Sequence, residues 1–438
     1  MLARLCVFVL VASPVALALP DQVHLALTAS PDSMAVQFST QASSSEETVR
    51  FGDDCDNLVN TLESSAMTHA PFTDSGDERY TQYHHVGVMT GLETGSRYFY
   101  QVGSDSGGWS EVYDFTAAPA RDAFPHRFGV WGDMGASNAQ IIDFVKQEVD
   151  ADNFDMILHV GDLAYDFQND NGHNGDVFMN NIQPMAARVP YMTDVGNHEQ
   201  AQQFAHYTER FRLLPGQNSS VSTDNGEAPN NWYYSHDFGN VHFISISTEV
   251  LFVPKRHEHI RKQHEFVEND LKNVDREKTP WIVVHGHRPM YCSCDADCDS
   301  SAHRVRTGGY ELERPWLSLE DLFFKYGVDL YLAGHEHNYE RMFDVYDGKT
   351  TQTTVNPPAT VHIVTGDAGG PEQHEVFARD QPDRTAFRTD AYGYSRMTVH
   401  NDTHLYWEQV ETDTDANVFN KVIDSVWIVQ ESHGPFKQ

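Results

Sequence analysis

Five short segments of this 438-residue chain each place oxygen or imidazole donors directly after an apolar run. They are Asp133-Met134-Gly135, Gly161-Asp162-Leu163-Ala164-Tyr165, Gly196-Asn197-His198-Glu199, Val284-His285-Gly286-His287 and Gly334-His335-Glu336-His337. The runs before them, such as Phe128-Gly129-Val130-Trp131 and Met156-Ile157-Leu158, read as buried strands. Donors repeated at strand ends constrain the fold, because the carboxyl ends of strands in open α/β sheets converge on one cleft. Carboxylate, amide oxygen, phenol and imidazole suit a pair of hard or borderline cations and not a thiolate zinc finger. Singly, Asp-X-Gly and Gly-Asn are common turns. Their joint occurrence, at sheet-strand spacing, carries the assignment.

From residue 20 to residue 119 the pattern is short alternating strands: Val23–Leu27, Met34–Phe38, Tyr83–Val88 and Tyr98–Val102. That pattern predicts a β-sandwich. Gly91-Leu92-Glu93-Thr94-Gly95-Ser96-Arg97-Tyr98 has the look of the tyrosine corner of fibronectin type III domains, with a structural role for Tyr98. Ala117–Pro125 reads as a linker, since Pro and small residues break strand and helix. Over 124–390, strands alternate with helical segments at Ile141–Val149, Glu258–Lys272 and Leu319–Tyr326, predicting a layered α/β domain. A C-terminal β segment, 391–438, is expected to pack back on it. The histidines at 257, 259 and 264 lack zinc-protease spacing and read as a solvated helix face.

Residues 1–18 have the charged start, apolar middle and small-residue end of a secretory signal peptide, with cleavage near Ala18. Without it four cysteines remain, Cys55, Cys292, Cys294 and Cys298, an even number that fits disulfide use in an oxidising compartment with the pairing open. Asn218 and Asn401 head glycosylation sequons. The expected location is extracellular or an acidic lumen. Lys and Arg total 30 against 64 Asp and Glu, a net charge of −34 that repels nucleic acid and anionic membranes. Neither is an expected partner, and the oligomeric state is not legible. No serine-hydrolase elbow or phosphate-cradling P-loop is present.

With its blocks in this order the chain resembles the purple acid phosphatases, within the calcineurin-like metallophosphoesterases, over nearly its whole length. The resemblance extends to Trp232–Ser235, Gly239–Phe243 and Asn338–Arg341 and is nearest to the long two-domain form. Gly135 stands where the wider superfamily has His and Tyr165 where it has Asp, which is the purple acid phosphatase variant. The resemblance implies a fold class of α/β with an N-terminal fibronectin type III-like β-sandwich before a layered metallophosphoesterase domain. It implies one metal held by Asp133, Asp162, Tyr165 and His337, and a second held by Asp162, Asn197, His287 and His335. The first metal would be Fe(III) and the second Zn, Mn or Fe(II), with Asp162 bridging. Strand alternation alone leaves His285 and His287 on one side; the family motif favours His287.

The implied activity is acid hydrolysis of small phosphate monoesters by a metal-bound hydroxide, without a covalent protein intermediate. A cationic imidazole would stabilise charge or protonate the leaving oxygen, and His198 and His303 are the candidates. Two alternatives stand beside it. One is a phosphodiesterase or nucleotide pyrophosphatase on the same site, set by loops such as Gln168–Asp176 and Ser293–Arg306. The other is a non-catalytic adhesive glycoprotein, which predicts eroded ligand positions.

Overall fold

The computed structural model describes residues 19–76, 80–215, 217–223, 226–253, 257–294, 297–308, 318–372, 374–413 and 418–437. The expected leader, residues 1–18, lies outside them, as do the side chains of Asn218 and His257. The N-terminal part is a β-sandwich. One sheet has the order β1 (Asp21–Leu27), β2 (Ser33–Thr40), β6 (Thr81–Thr90), β5 (Thr68–Thr73). The other has the order β4 (Asn60–Thr61), β3 (Thr48–Gly52), β7 (Arg97–Ser104), β8 (Gly108–Trp109), with β9 (Tyr113–Thr116) also on β7. Leu25, Val36, Phe38, Val49, Tyr100 and Phe115 fill the space between them. The corner forms: the Glu93 N–H donates to Tyr98 Oη at 2.9 Å.

The second part stacks two mixed sheets. The chain runs through β10 (His126–Trp131), α1 (Ile142–Asp150), β11 (Met156–His159), α2 (His173–Ala186), β12 (Tyr191–Thr193) and α3 (Ala201–Arg210). It continues through β13 (Gln217–Thr223), β14 (Gly226–Asn230), β15 (Tyr234–Phe238), β16 (Val241–Ile246), α4 (His257–Asn273) and β17 (Trp281–Gly286). Then come α5 (Asp297–Thr307), α6 (Leu319–Tyr326), β18 (Leu330–Ala333), β19 (Tyr339–Asp344), β20 (Val361–Thr365), β21 (Thr385–Thr389), β22 (Gly393–Val399), β23 (His404–Asp413) and β24 (Val418–Val429). The first sheet has the order β12-β11-β10-β22-β23-β24 and the second β15-β16-β17-β18-β20-β19-β21. Strands β10, β11 and β12 run parallel, as do β16, β17, β18 and β20. Their mostly apolar composition follows from burial on both faces. The sheets meet face to face where Phe128 packs edge-on against Phe238 and Phe243, at 5.4 and 5.2 Å between ring centroids.

Four sequence expectations change. The C-terminal segment does more than pack on the domain: β22 pairs directly with β10, so residues beyond 391 complete the first sheet. Ala117 and Ala118, expected in a linker, are buried. His264 is buried and His259 packs on Trp232 at 5.1 Å, so α4 does not present these rings as a solvated face. The even cysteine count does not resolve into two bridges. Cys292 pairs with Cys298, while Cys55 and the buried Cys294 are outside that bridge.

A single apolar core runs through both parts, because β1 and β2 are buried on their outer face as well. Hydrogen bonds cross the boundary from both sheets of the sandwich. The Val23 N–H donates to Gln183 Oε1 at 2.9 Å, Gln37 Nε2 to the Glu209 carbonyl at 2.9 Å and Tyr100 Oη to the Ala187 carbonyl at 2.7 Å. At its centre the fully buried Arg210 donates to Asp176, Gln22 and the Gly172 carbonyl.

Candidate metal centre

All five donor blocks lie just past the carboxyl ends of parallel strands. Asp133 follows β10, Asp162 follows β11 and Asn197 follows β12 in the first sheet; His287 follows β17 and His335 follows β18 in the second. The crevice between the two sheets therefore gathers them. Asp133, Asp162, Tyr165 and His335 take positive φ of 60°, 50°, 53° and 72°. Such backbone costs about 1–3 kcal/mol per residue and persists where surroundings hold it. Here the turns aim donors inward. Gly196 and Gly334 permit the close approach, since a Cβ on either would overlap the Asp162 or Asp133 carboxylate.

The donors sort into two joined groups. In one, Tyr165 Oη lies 2.6 Å from His337 Nε2 and 3.3 Å from Asp133 Oδ1, and His337 Nε2 lies 3.5 Å from Asp133 Oδ1. In the other, His287 Nε2 lies 3.1 Å from Asp162 Oδ2 and 3.2 Å from Asn197 Oδ1. The His335 ring stands 5.0 Å from that of His287, and ligand atoms of Asp162, His287 and His335 fall within 4.8 Å of one another. The first group offers carboxylate and phenol for a hard cation; the second offers two imidazoles and an amide for a softer one.

Electrostatics agree with a site built for cations. Burial pulls the His287 imidazole down, but the Asp162 carboxylate outweighs it and pushes the ring up to about 10. Burial likewise opposes His337, which its Asp133 partner pushes up to about 9. Burial and the nearby Asp133 and Asp162 charges raise the Tyr165 phenol far above its ordinary value. Protons thus collect on the donors wherever no cation balances Asp133 and Asp162, and the residues fit a metal pair.

Supporting contacts fix the ligands. The His335 N–H donates to Asp133 Oδ2 at 2.8 Å, and the His198 N–H to Asp162 Oδ1 at 2.9 Å. His287 Nδ1 meets the Val160 carbonyl at 3.0 Å, leaving Nε2 to face Asp162 and Asn197. His285 is not in this group. Its Nδ1 lies 2.8 Å from the buried Asp194 carboxylate, behind the strand end. His198 packs at a tilt against Tyr165, 4.4 Å between centroids, with Nε2 4.0 Å from Asp162 Oδ2, and its ring also faces Asp166 and Glu372. Burial opposes protonation of His198, but Asp162, Asp166, Glu199 and Glu372 together raise its pKa. His303 stands half-buried on α5, two residues after Ser301, whose hydroxyl lies 3.4 Å from Arg288 Nη1.

Two residues of this region were not singled out from the sequence. The buried Glu199 accepts the N–H groups of Asp162, Leu163 and Gly196 at 3.0, 2.9 and 2.9 Å, tying two donor loops together, and burial pushes it up to about 8. Arg288 reaches His335 Nε2 at 2.7 Å and Asn197 Oδ1 at 3.1 Å. Arg288 directly follows a ligand, and that adjacency was the only sequence signal for it.

Comparison with known proteins gives the same answer. Residues 20–117 match the purple acid phosphatase N-terminal domain, 126–339 the calcineurin-like phosphoesterase domain and 359–425 the iron/zinc purple acid phosphatase-like C-terminal domain. The chain is 39% identical to acid phosphatase type 7 of Danio rerio over 95% of its own length and 92% of that protein's. It is 40% identical to acid phosphatase type 7 of Mus musculus over 94% of this chain and 91% of that one. This chain belongs to the purple acid phosphatases. It is an acid phosphatase of a dimetal family. In fold it is similar to a purple acid phosphatase, PPD1, from yellow lupin seeds, with a TM-score of 0.75 at 24% identity over 94% of this chain and 75% of that one.

Proposed function

We propose that this acid phosphatase is secreted and hydrolyses small phosphate monoesters with Fe(III) at Asp133, Asp162, Tyr165 and His337 and a divalent Zn, Mn or Fe at Asp162, Asn197, His287 and His335. The observation that carries this reading is the sorting of donors into a carboxylate–phenol group and an imidazole–amide group, with Asp162 touching the second and close enough to the first for its charge to act on Tyr165 and His337. A metal pair in such a site supplies Lewis acidity and an activated water for phosphoryl transfer. The chain's own residues do the rest. Asp162 and Asp133 orient the two halves, and Glu199 braces the loops that carry Asp162 and Asn197. His198, beside Tyr165 and 4.0 Å from Asp162, is the first candidate for protonating the leaving oxygen. His303 on α5 is the second candidate for that proton.

Secretion is supported by the leader-like residues 1–18 and by the exposed sequon at Asn401. Among the described residues no helix is long and apolar enough to cross a membrane. The test is metal analysis and a visible spectrum of purified protein, with turnover of aryl phosphate, a phosphodiester and ATP compared at acid pH. Two metals, a visible band and fastest turnover of the monoester are expected. Preference for the diester or ATP would move the reading to the phosphodiesterase or pyrophosphatase alternative. His303→Ala should keep both metals and slow alkyl phosphate hydrolysis by about 10- to 1000-fold, and an unchanged rate removes His303 from the mechanism.

A further inference from the structure

We propose that Arg288 binds the phosphoryl oxygens of the substrate beside the divalent site, an inference that rests on the phosphatase reading above. Its guanidinium is anchored on two sides. Nε donates to Oε1 of the buried Glu249 at 2.7 Å and Nη2 to Oε2 at 3.3 Å, while the group lies 4.2 Å over the Phe252 ring. The backbone N–H is held by Thr248 Oγ1 at 3.0 Å. From this anchor the fork reaches into the donor cluster. Nη2 meets Asn197 Oδ1 at 3.1 Å, and Nη1 meets His335 Nε2 at 2.7 Å with a longer contact of 3.4 Å to Ser301 Oγ.

That arrangement cannot survive loading of the site unchanged. Guanidinium carries donors only, so the contact with His335 requires a lone pair on Nε2. If a cation takes Nε2, the lone pair is used. If it takes Nδ1, the proton moves to Nε2, and two N–H groups face each other. Either nitrogen ends the contact. The Asn197 carbonyl oxygen has a second lone pair, so the Nη2 contact persists beside a metal. The anchored fork then keeps one edge directed at the divalent site with Nη1 no longer held by His335. An anion arriving there is the complementary acceptor, and planar two-point recognition of phosphate is what guanidinium does better than a point charge. Glu249 neutralises Arg288 in the resting site, which fixes its direction without adding a net charge that would expel the metal.

The experiment measures inorganic phosphate binding to metal-loaded protein by calorimetry, with metal content determined on the same samples. Wild-type protein that takes up two metals and turns over phosphate esters upholds the underlying reading; failure there sinks that reading before Arg288 is touched. Arg288→Ala should retain both metals and bind phosphate about 10- to 100-fold more weakly, the range for losing a charge-assisted hydrogen bond. Arg288→Lys should recover part of the loss. Unchanged phosphate affinity in Arg288→Ala overturns the proposal, as does a loss that tracks departure of the divalent metal. Should the alanine variant not fold, Arg288→Lys and Arg288→Gln give the same reading, with Gln expected to be the weaker binder and equal affinity overturning the proposal.

Discussion

Tyr165 is the residue on which the metal assignment turns, because its oxygen meets both an imidazole and a carboxylate within the first donor group. A phenolate bound to ferric iron absorbs visible light by charge transfer. Tyr165→Phe is therefore expected to bleach the band while Asp133, Asp162 and His337 still hold iron, and a colourless iron-replete wild type would exclude the bond. His287 and His285 should separate by phenotype. His287→Ala should lose the divalent metal and activity, because it removes a direct ligand. His285→Ala should instead lower stability by about 1–3 kcal/mol, since it strips a partner from the buried Asp194. Equal metal loss in both folded variants would contradict this division. At this scale the ligand blocks were legible because each pairs a turn former with a donor after an apolar run. Glu199 and Arg288 were not, since a carboxylate bracing two loops and a guanidinium spanning strand ends have no spacing signature.

At the level of elements, strand polarity is what makes the ligands meet. The periodicity that identified β10, β11, β17 and β18 could not say which strands share a sheet. The ends of α6 have a local cause: Ser318 Oγ accepts the Asp321 N–H at 3.2 Å, and Gly327 stops the helix at φ 69°. Tying α4 to the β15–β16 hairpin is His242, with Nδ1 2.6 Å from Asp237 and Nε2 2.6 Å from Asp270. Burial opposes its charge, but the two carboxylates push it up to about 9. A raised histidine contributes stability that is fully present below its unfolded value of about 6.5 and fades as pH rises through its folded value. Wild type should exceed His242→Gln by about 1–3 kcal/mol at pH 6, and the gap should close as pH rises through about 9. Denaturant unfolding across that range measures it, and a pH-independent gap would rule out the ion pairs as its source.

For the whole molecule, the sandwich and the metal domain behave as one body because Arg210 is buried between them with Asp176, Gln22 and the Gly172 carbonyl. Removing one partner of a buried ion pair costs about 3–5 kcal/mol. Arg210→Met is expected to destabilise both parts together by that order. Fluorescence of Trp109, in the sandwich, should follow the same transition as far-UV circular dichroism in wild type. Separate transitions in the wild type would show that the shared core does not couple them.

The sequence by itself showed five donor blocks behind apolar runs, with the ligand set coming from their family resemblance, and an alternating N-terminal pattern that predicted a sandwich. Tertiary structure decided what alternation cannot encode. His24 and Gln37 alternate with apolar neighbours in β1 and β2, and they lie against α3, where the Arg210 and Glu209 carbonyls take their hydrogen bonds. Which two of the three clustered cysteines pair was likewise a matter of tertiary placement: Cys292 meets Cys298, and the Cys294 thiol donates to Glu336 at 2.7 Å. Only the fold chose the partner of each polar face, because a period of two or 3.6 specifies which side of an element is apolar and says nothing about what the other side will meet.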